Sequence, residues 1–261
     1  MKAPDITKTL HWWRFMKLLA GFNVVLWLVV AFNVEVKGRY IHWHLLFSGI
    51  FTAVCAFRSV LPRIDLERYC LVDSMASSMV AGRMGATFAE ISFACQIALV
   101  LHEAGGMANL SWVQVLFLPI VAALTLAQVF CWFSVISLNH LGHTLEESLW
   151  GITFVPVGIA LAFCGLNLEG LWQTVCIAGA VFCVGYVAFM AFVDVPMYYR
   201  RWREGLANNE KRLGFKEGFA DALNRRVVTQ DWAIWKPEVA WLTGYFSMAV
   251  WVSISLVVLP R

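Results

Sequence analysis

Seven stretches run through this chain almost without charge, at about 16–34, 41–61, 75–102, 112–138, 149–168, 171–194 and 238–259. A hydrocarbon layer of ~30 Å is crossed by about 20 helical residues. Inside it no water pairs the backbone, so a run of that length must satisfy its own N–H and C=O groups and reads as a spanning helix. Composition agrees. Of 261 residues, 60% are hydrophobic and only 14% charged, where a soluble domain carries about 25% charged residues. The chain is therefore expected to be all-α: a polytopic integral membrane helical bundle of about seven transmembrane helices, one domain from 1 to 261, in a cell or organelle membrane. Thirteen tryptophans suit the lipid–water boundary, where an indole keeps its ring apolar and its N–H wet. A net charge of +3 carries no nucleic-acid signature.

The placement of the basic residues orients the bundle. With the N-terminus cytoplasmic, inner segments hold sixteen of them: Lys2, Lys8, Arg14, Lys17, Arg58, Arg63, Arg68 and nine between Arg200 and Lys236. Outer segments hold Lys37, Arg39 and Arg261. Such a bias predicts N-terminus in and C-terminus out, which an odd number of spans satisfies. In the long inner loop, Phe215, Phe219, Leu223 and Val227 recur every four residues beside Lys216, Arg225 and Arg226. That spacing predicts an amphipathic helix within about 204–230, lying on the inner leaflet. The alternating charges of 58–68 read as a self-paired surface loop, or as a phosphate or headgroup contact through Arg58, Arg63 and Arg68. His42 and His44 read as solvated interfacial residues. The seven cysteines form no C-x-x-C pair and read as small hydrophobes.

Ionisable side chains inside spans are costly, ~2.5–3.5 kcal/mol on the gentlest scale, and mark function. In the third span Asp73, Ser77, Arg83, Thr87 and Glu90 fall near one helical face, with Arg83 close to mid-membrane. Its counter-charge is Glu90, seven residues on, or a carboxylate of another helix such as Asp194 or Glu146. At the inner end of the sixth span Asp194-Val195-Pro196 is a helix break of the kind that lines cavities.

The stretch Asn139-His140-Leu141-Gly142-His143-Thr144-Leu145-Glu146-Glu147 has two readings. On a continuous helix His140, His143 and Glu147 share a face, giving two imidazoles and a carboxylate for zinc, iron or copper with an open position. Alternatively the chain reverses near Gly142, and Thr144-x-x-Glu147 is a capping box that opens the fifth span. His140 and His143 would then decorate an inner turn and converge with Glu146. The run Leu138–Thr144 with Glu146 and Glu147 is loosely similar to a ten-residue stretch of the small membrane subunit of copper-dependent membrane monooxygenases. The Asp/His copper-ligand segment of that subunit has no counterpart here and the number of following spans differs, so no role is carried over.

Three functions fit these residues. The first is an intramembrane enzyme with a polar, metal-binding site that opens to the cytoplasmic leaflet and acts on an apolar lipid or isoprenoid-like substrate. It would use Asp73, Arg83, Glu90, Glu146 and Asp194 in metal-assisted or acid/base chemistry. The second is a proton-coupled transporter or ion pathway using the same carboxylates, although no inverted repeat is evident. The third is a non-catalytic subunit of a larger membrane complex. The expected partners are membrane lipid and a hydrophobic small molecule, with a membrane-protein partner or a second copy of the chain as the macromolecular ones.

Overall fold

The computed structural model describes residues 6–36 and 38–259; Lys2, Lys37 and Arg261 of the charge pattern lie outside them. Its helices are α1 (Ile6–Asn33), α2 (Gly38–Val60), α3 (Met79–Met107), α4 (Ser111–Gln114), α5 (Phe117–Ser137), α6 (His140–Asn167), α7 (Gly170–Phe189), α8 (Val195–Ala207), α9 (Phe215–Asn224), α10 (Trp232–Gly244) and α11 (Val250–Ser255). Two π-helical turns, Met190–Asp194 and Tyr245–Ala249, join α7 to α8 and α10 to α11. With those joins counted, seven helices are long and apolar enough to cross a membrane. Large apolar side chains stand exposed along them, such as Phe32, Phe192, Leu166 and Leu18, the inverse of a water-facing surface. The all-α polytopic architecture is as expected.

Helix ends depart from expectation. The first helix begins at Ile6 and not near 16, because a polar, basic turn can continue a helix without being apolar. The third begins at Met79. Residues before it form an irregular segment and a single 3-10 turn, Met75–Ser77, capped by Ser74. Asp73 and Ser77 are therefore off the helix that carries Arg83. The sixth runs through to Ala207, 38 residues in all, or about 57 Å at 1.5 Å per residue, far beyond a hydrocarbon layer.

The chain divides into two compact units: residues 1–96 with 219–261, and residues 97–218. The core of the first is built from Trp12, Met16, Leu19, Phe51, Cys55, Trp235, Phe246 and Val250, among others. Its polar side chains serve backbone that the helices cannot. A π-turn breaks the regular hydrogen-bond ladder, and at this one Asn23 Nδ2 donates to Phe246 O at 2.7 Å while Trp251 Nε1 donates to Asn23 Oδ1 at 2.9 Å. Near the end of α11, Gln96 Nε2 donates to Ser253 O at 3.0 Å. His44, Gln96 and Ser253 are fully buried, so His44 is an interior residue and not a solvated one.

The first unit also holds a small sheet of order β1-β2-β3, with β1 (Arg63–Ile64) antiparallel to β2 (Tyr69–Cys70) and β2 parallel to β3 (Val227–Val228). This corrects two expectations. The amphipathic helix ends at Asn224 and Val227 pairs in a strand. The loop 58–68 is not a surface loop, since Arg63 and Arg68 are 3% and 0% exposed. Arg63 donates to the carbonyls of Ser78 at 2.6 Å and Leu61 at 3.3 Å. Gly82 lies directly on its guanidinium, where any Cβ would collide. Burial pushes the Arg63 guanidinium down to about 10, with Arg58 adding to the fall.

Candidate metal centre

The second unit carries the His/Glu stretch, and its geometry follows from how the chain reverses between α5 and α6. The reversal falls at Leu138-Asn139 and not near Gly142. Leu138 takes the left-handed conformation (φ 54°, ψ 45°) that ends a helix, and Asn139 is the N-cap of α6, its Oδ1 accepting from Leu141 N at 3.1 Å. Thr144 is not a cap: its hydroxyl donates back to His140 O at 3.0 Å within the helix. His140 and His143 therefore stand on the first turn of α6, as the continuous-helix reading requires of them.

The hairpin is tight because position 142 has no side chain. A Cβ there would lie 2.5 Å from Phe130 O and 2.7 Å from Ser134 N. Gly142→Ala would gain about 1 kcal/mol in helix propensity. The clash is with backbone atoms that cannot rotate away, so overpacking wins, with a net loss of about 1–3 kcal/mol. Thermal unfolding of the variant in detergent is expected to show that loss. An unchanged Tm would mean that α5 and α6 are not held in this register.

This packing sets Cys131 of α5 against His143 of α6. Cys131 Sγ lies 3.9 Å from His143 Nδ1, and the same nitrogen lies 2.8 Å from Glu146 Oε2, one turn further along α6. The three are buried, at 0%, 9% and 4% exposure. One ligand atom of each falls within 4.8 Å of the others. Ligands about 2.0–2.3 Å from a tetrahedral zinc ion stand roughly 3.3–3.8 Å from one another. The triad is thus close to the size a bound ion needs. With Nδ1 protonated, His143 donates to Glu146 and presents Nε2 as a base. With Nδ1 unprotonated, sulfur, nitrogen and carboxylate oxygen can share one cation.

Tyr198 of α8 covers this group, its ring centroid 5.0 Å from that of His143 and 6.1 Å from that of His140. Asp194, on the π-turn one helical turn before Tyr198, is half-buried and within electrostatic reach of His143 and Glu146. Glu147 is half-buried and within reach of Tyr198. The structure thus gathers His140, His143, Glu146 and Asp194 in the second unit, and it is Glu146 that hydrogen-bonds His143. In the first unit, Arg83 Nη2 donates to Glu90 Oε1 at 2.7 Å, so the local carboxylate is its partner. Asp73 is 70% exposed and pairs with Arg226 at 2.7 Å.

Cys131 and Tyr198 were not candidates from sequence. Tyr198 had a signal, sharing a helical face with Asp194 at spacing four; Cys131 had none until the hairpin register was known. No protein-family model matches the chain, and no curated protein or solved structure is similar to it.

Proposed function

We propose that the protein is an intramembrane enzyme whose reactive centre is a divalent transition ion held by Cys131, His143 and Glu146. The supporting observation is the convergence of thiol, imidazole and carboxylate in one buried cluster. A sulfur–nitrogen–oxygen set with three protein ligands matches catalytic zinc, with iron or copper as alternatives, and leaves a fourth position for water or substrate. Such an ion lowers the pKa of a bound water toward neutrality or polarises a substrate oxygen. Asp194, within electrostatic reach of Glu146, would take up or return the proton, and the Tyr198 ring over His143 would limit access of bulk water. The spans around the centre are apolar, which favours a hydrophobic, lipid-like or isoprenoid-like substrate. The basic residues of α8 and its following loop favour a cytoplasmic-leaflet position for this end of the bundle by the positive-inside rule.

Elemental analysis of full-length protein purified in detergent without chelators tests the reading. Stoichiometric zinc, iron or copper is expected, and it should be lost in Cys131→Ala and in His143→Ala while helical circular dichroism is retained. Metal-free protein, or metal content indifferent to both substitutions, would refute it.

A further inference from the structure

Beside the centre, still within the second unit, the surface folds into a recess lined by Asn139, His140, Arg201, Trp202, Glu210 and Arg212, among others. Its empty space is about 210 Å³ including the open mouth, with about 10 Å³ open to the centre of a water-sized sphere. That is room for about one oxygen atom. Two of the lining residues carry a buried nitrogen with no hydrogen-bond partner: Trp202 Nε1 and His140 Nδ1. An indole N–H is a donor only. Leaving a buried donor unsatisfied costs about 1–3 kcal/mol, so such a group calls for an acceptor atom.

The charge at the mouth is positive. Arg201 and Arg212 are exposed, and among the described residues neither makes an ion pair. Glu210 is the one carboxylate of the lining, and its Oε2 is turned onto Gly205, 2.7 Å from where a Cβ would stand there. The Arg201 guanidinium lies over the Tyr198 ring at 5.7 Å, and that same ring rests on His143. The recess is therefore one aromatic ring away from Cys131, His143 and Glu146.

We infer that this recess binds a phosphate group, and, on the reading that the neighbouring centre is catalytic, that the substrate is an amphiphile with a phosphate headgroup. One phosphate oxygen enters to meet the unpartnered N–H, and the remaining oxygens stay at the mouth between the guanidinium groups. A carboxylate fits the donor set less well: its two coplanar oxygens are satisfied by a single arginine, whereas a phosphate's three oxygens and charge of about −1.5 to −2 match separated donors and two cations. The apolar chains of such a molecule would lie along the exposed helix surfaces beside the recess.

Binding to full-length protein in a neutral detergent tests this, with three probes: dioctanoyl phosphatidic acid, dioctanoyl glycerol and inorganic phosphate. Phosphatidic acid should bind, the glycerol analogue should not, and Arg201→Gln with Arg212→Gln should weaken binding roughly tenfold or more. Arg201→Lys with Arg212→Lys should restore most of the affinity, which a misfolded variant would not. If inorganic phosphate binds as tightly as the lipid, the ligand is free phosphate and the amphiphile assignment fails. If no phosphate probe binds, or the glutamine variant binds normally, the whole inference fails. The same titration on His143→Ala separates this from the metal reading. Headgroup binding should survive there, and metal content should be unchanged in the Arg201/Arg212 variant.

Discussion

Replacing Asp221 by alanine is expected to cost at least about 3 kcal/mol of stability, although the residue lies far from any span centre. Arg68 Nε donates to Asp221 Oδ2 at 2.9 Å, and the Arg68 side chain is completely buried while Asp221 is 18% exposed. Removing one partner of such a pair leaves a charge in the interior, a loss of about 3–5 kcal/mol in comparable cases. The partial exposure of Asp221 argues for the lower end. Arg68 is also the residue whose backbone turns the hairpin, with φ 62°, a conformation that costs a non-glycine residue about 1–2 kcal/mol. Its Nη1 donates to Asp65 O, its own carbonyl accepts from Val227 N, and Asp221 binds Arg225 as well. One carboxylate therefore ties the hairpin to β3 and α9. Burial holds the Arg68 guanidinium below its ordinary value, and the Asp221 hydrogen bond and charge only partly offset that. It follows that Arg68→Met combined with Asp221→Asn should lose less than Asp221→Ala alone. Unfolding in detergent, together with protease susceptibility of residues 61–74, measures both. An Asp221→Ala protein as stable and as resistant as wild type would sink the account.

How far the fold could be read from sequence depends on which force decides each feature. The spans are set by length and apolarity, which are written residue by residue, so all seven were legible. Their ends are set by caps and packing, which are not. Thr144 and Asn139 are both competent N-cap residues. What selects Asn139 is the left-handed turn at Leu138 and the fit of Gly142 against Phe130 and Ser134, a contact between two helices that no local pattern announces. Ser77 and Asp73 kept helical spacing with Arg83, yet the chain there is extended at Ser78 (φ −63°, ψ 150°). Arg63 and Arg68 stood in an alternating-charge run, the usual mark of a solvated loop. They are buried because carbonyls freed at the ends of α2 and the 3-10 turn, and a carboxylate 153 residues later, provide for them. The candidate centre was half legible. His143 and Glu146 share a helical turn and could be paired from spacing alone. Cys131, in an apolar run, acquires a ligand's role only when the hairpin register is known.

The intramembrane pair on α3 should give the strongest non-additivity in the molecule. Arg83 is 5% exposed, and its guanidinium reaches along the helix to Glu90, two turns away, at 2.7 Å. Tyr245, on the π-turn of the last span, lies within electrostatic reach of both, and of Cys55 and Arg58. Arg83 stands only four residues into α3 and not midway along the span, but both side chains are largely buried, so Glu90→Leu and Arg83→Leu should each cost about 3–5 kcal/mol. A single uncompensated charge already opposes insertion by ~2.5–3.5 kcal/mol. Replacing both by leucine removes two desolvation penalties together with one attraction, and apolar replacements of buried pairs are often neutral or stabilising. The double variant should therefore be more stable than either single one, a coupling of the opposite sense to additive damage. A double-mutant cycle measured by unfolding in mixed micelles decides it. Single losses that sum in the double variant would mean that the two charges are solvated independently and that α3 does not bury them as a pair. If instead the double variant folds well but loses the activity proposed above, the pair is kept for function and not for stability, and Arg83 and Glu90 return as candidates for a proton or ion pathway.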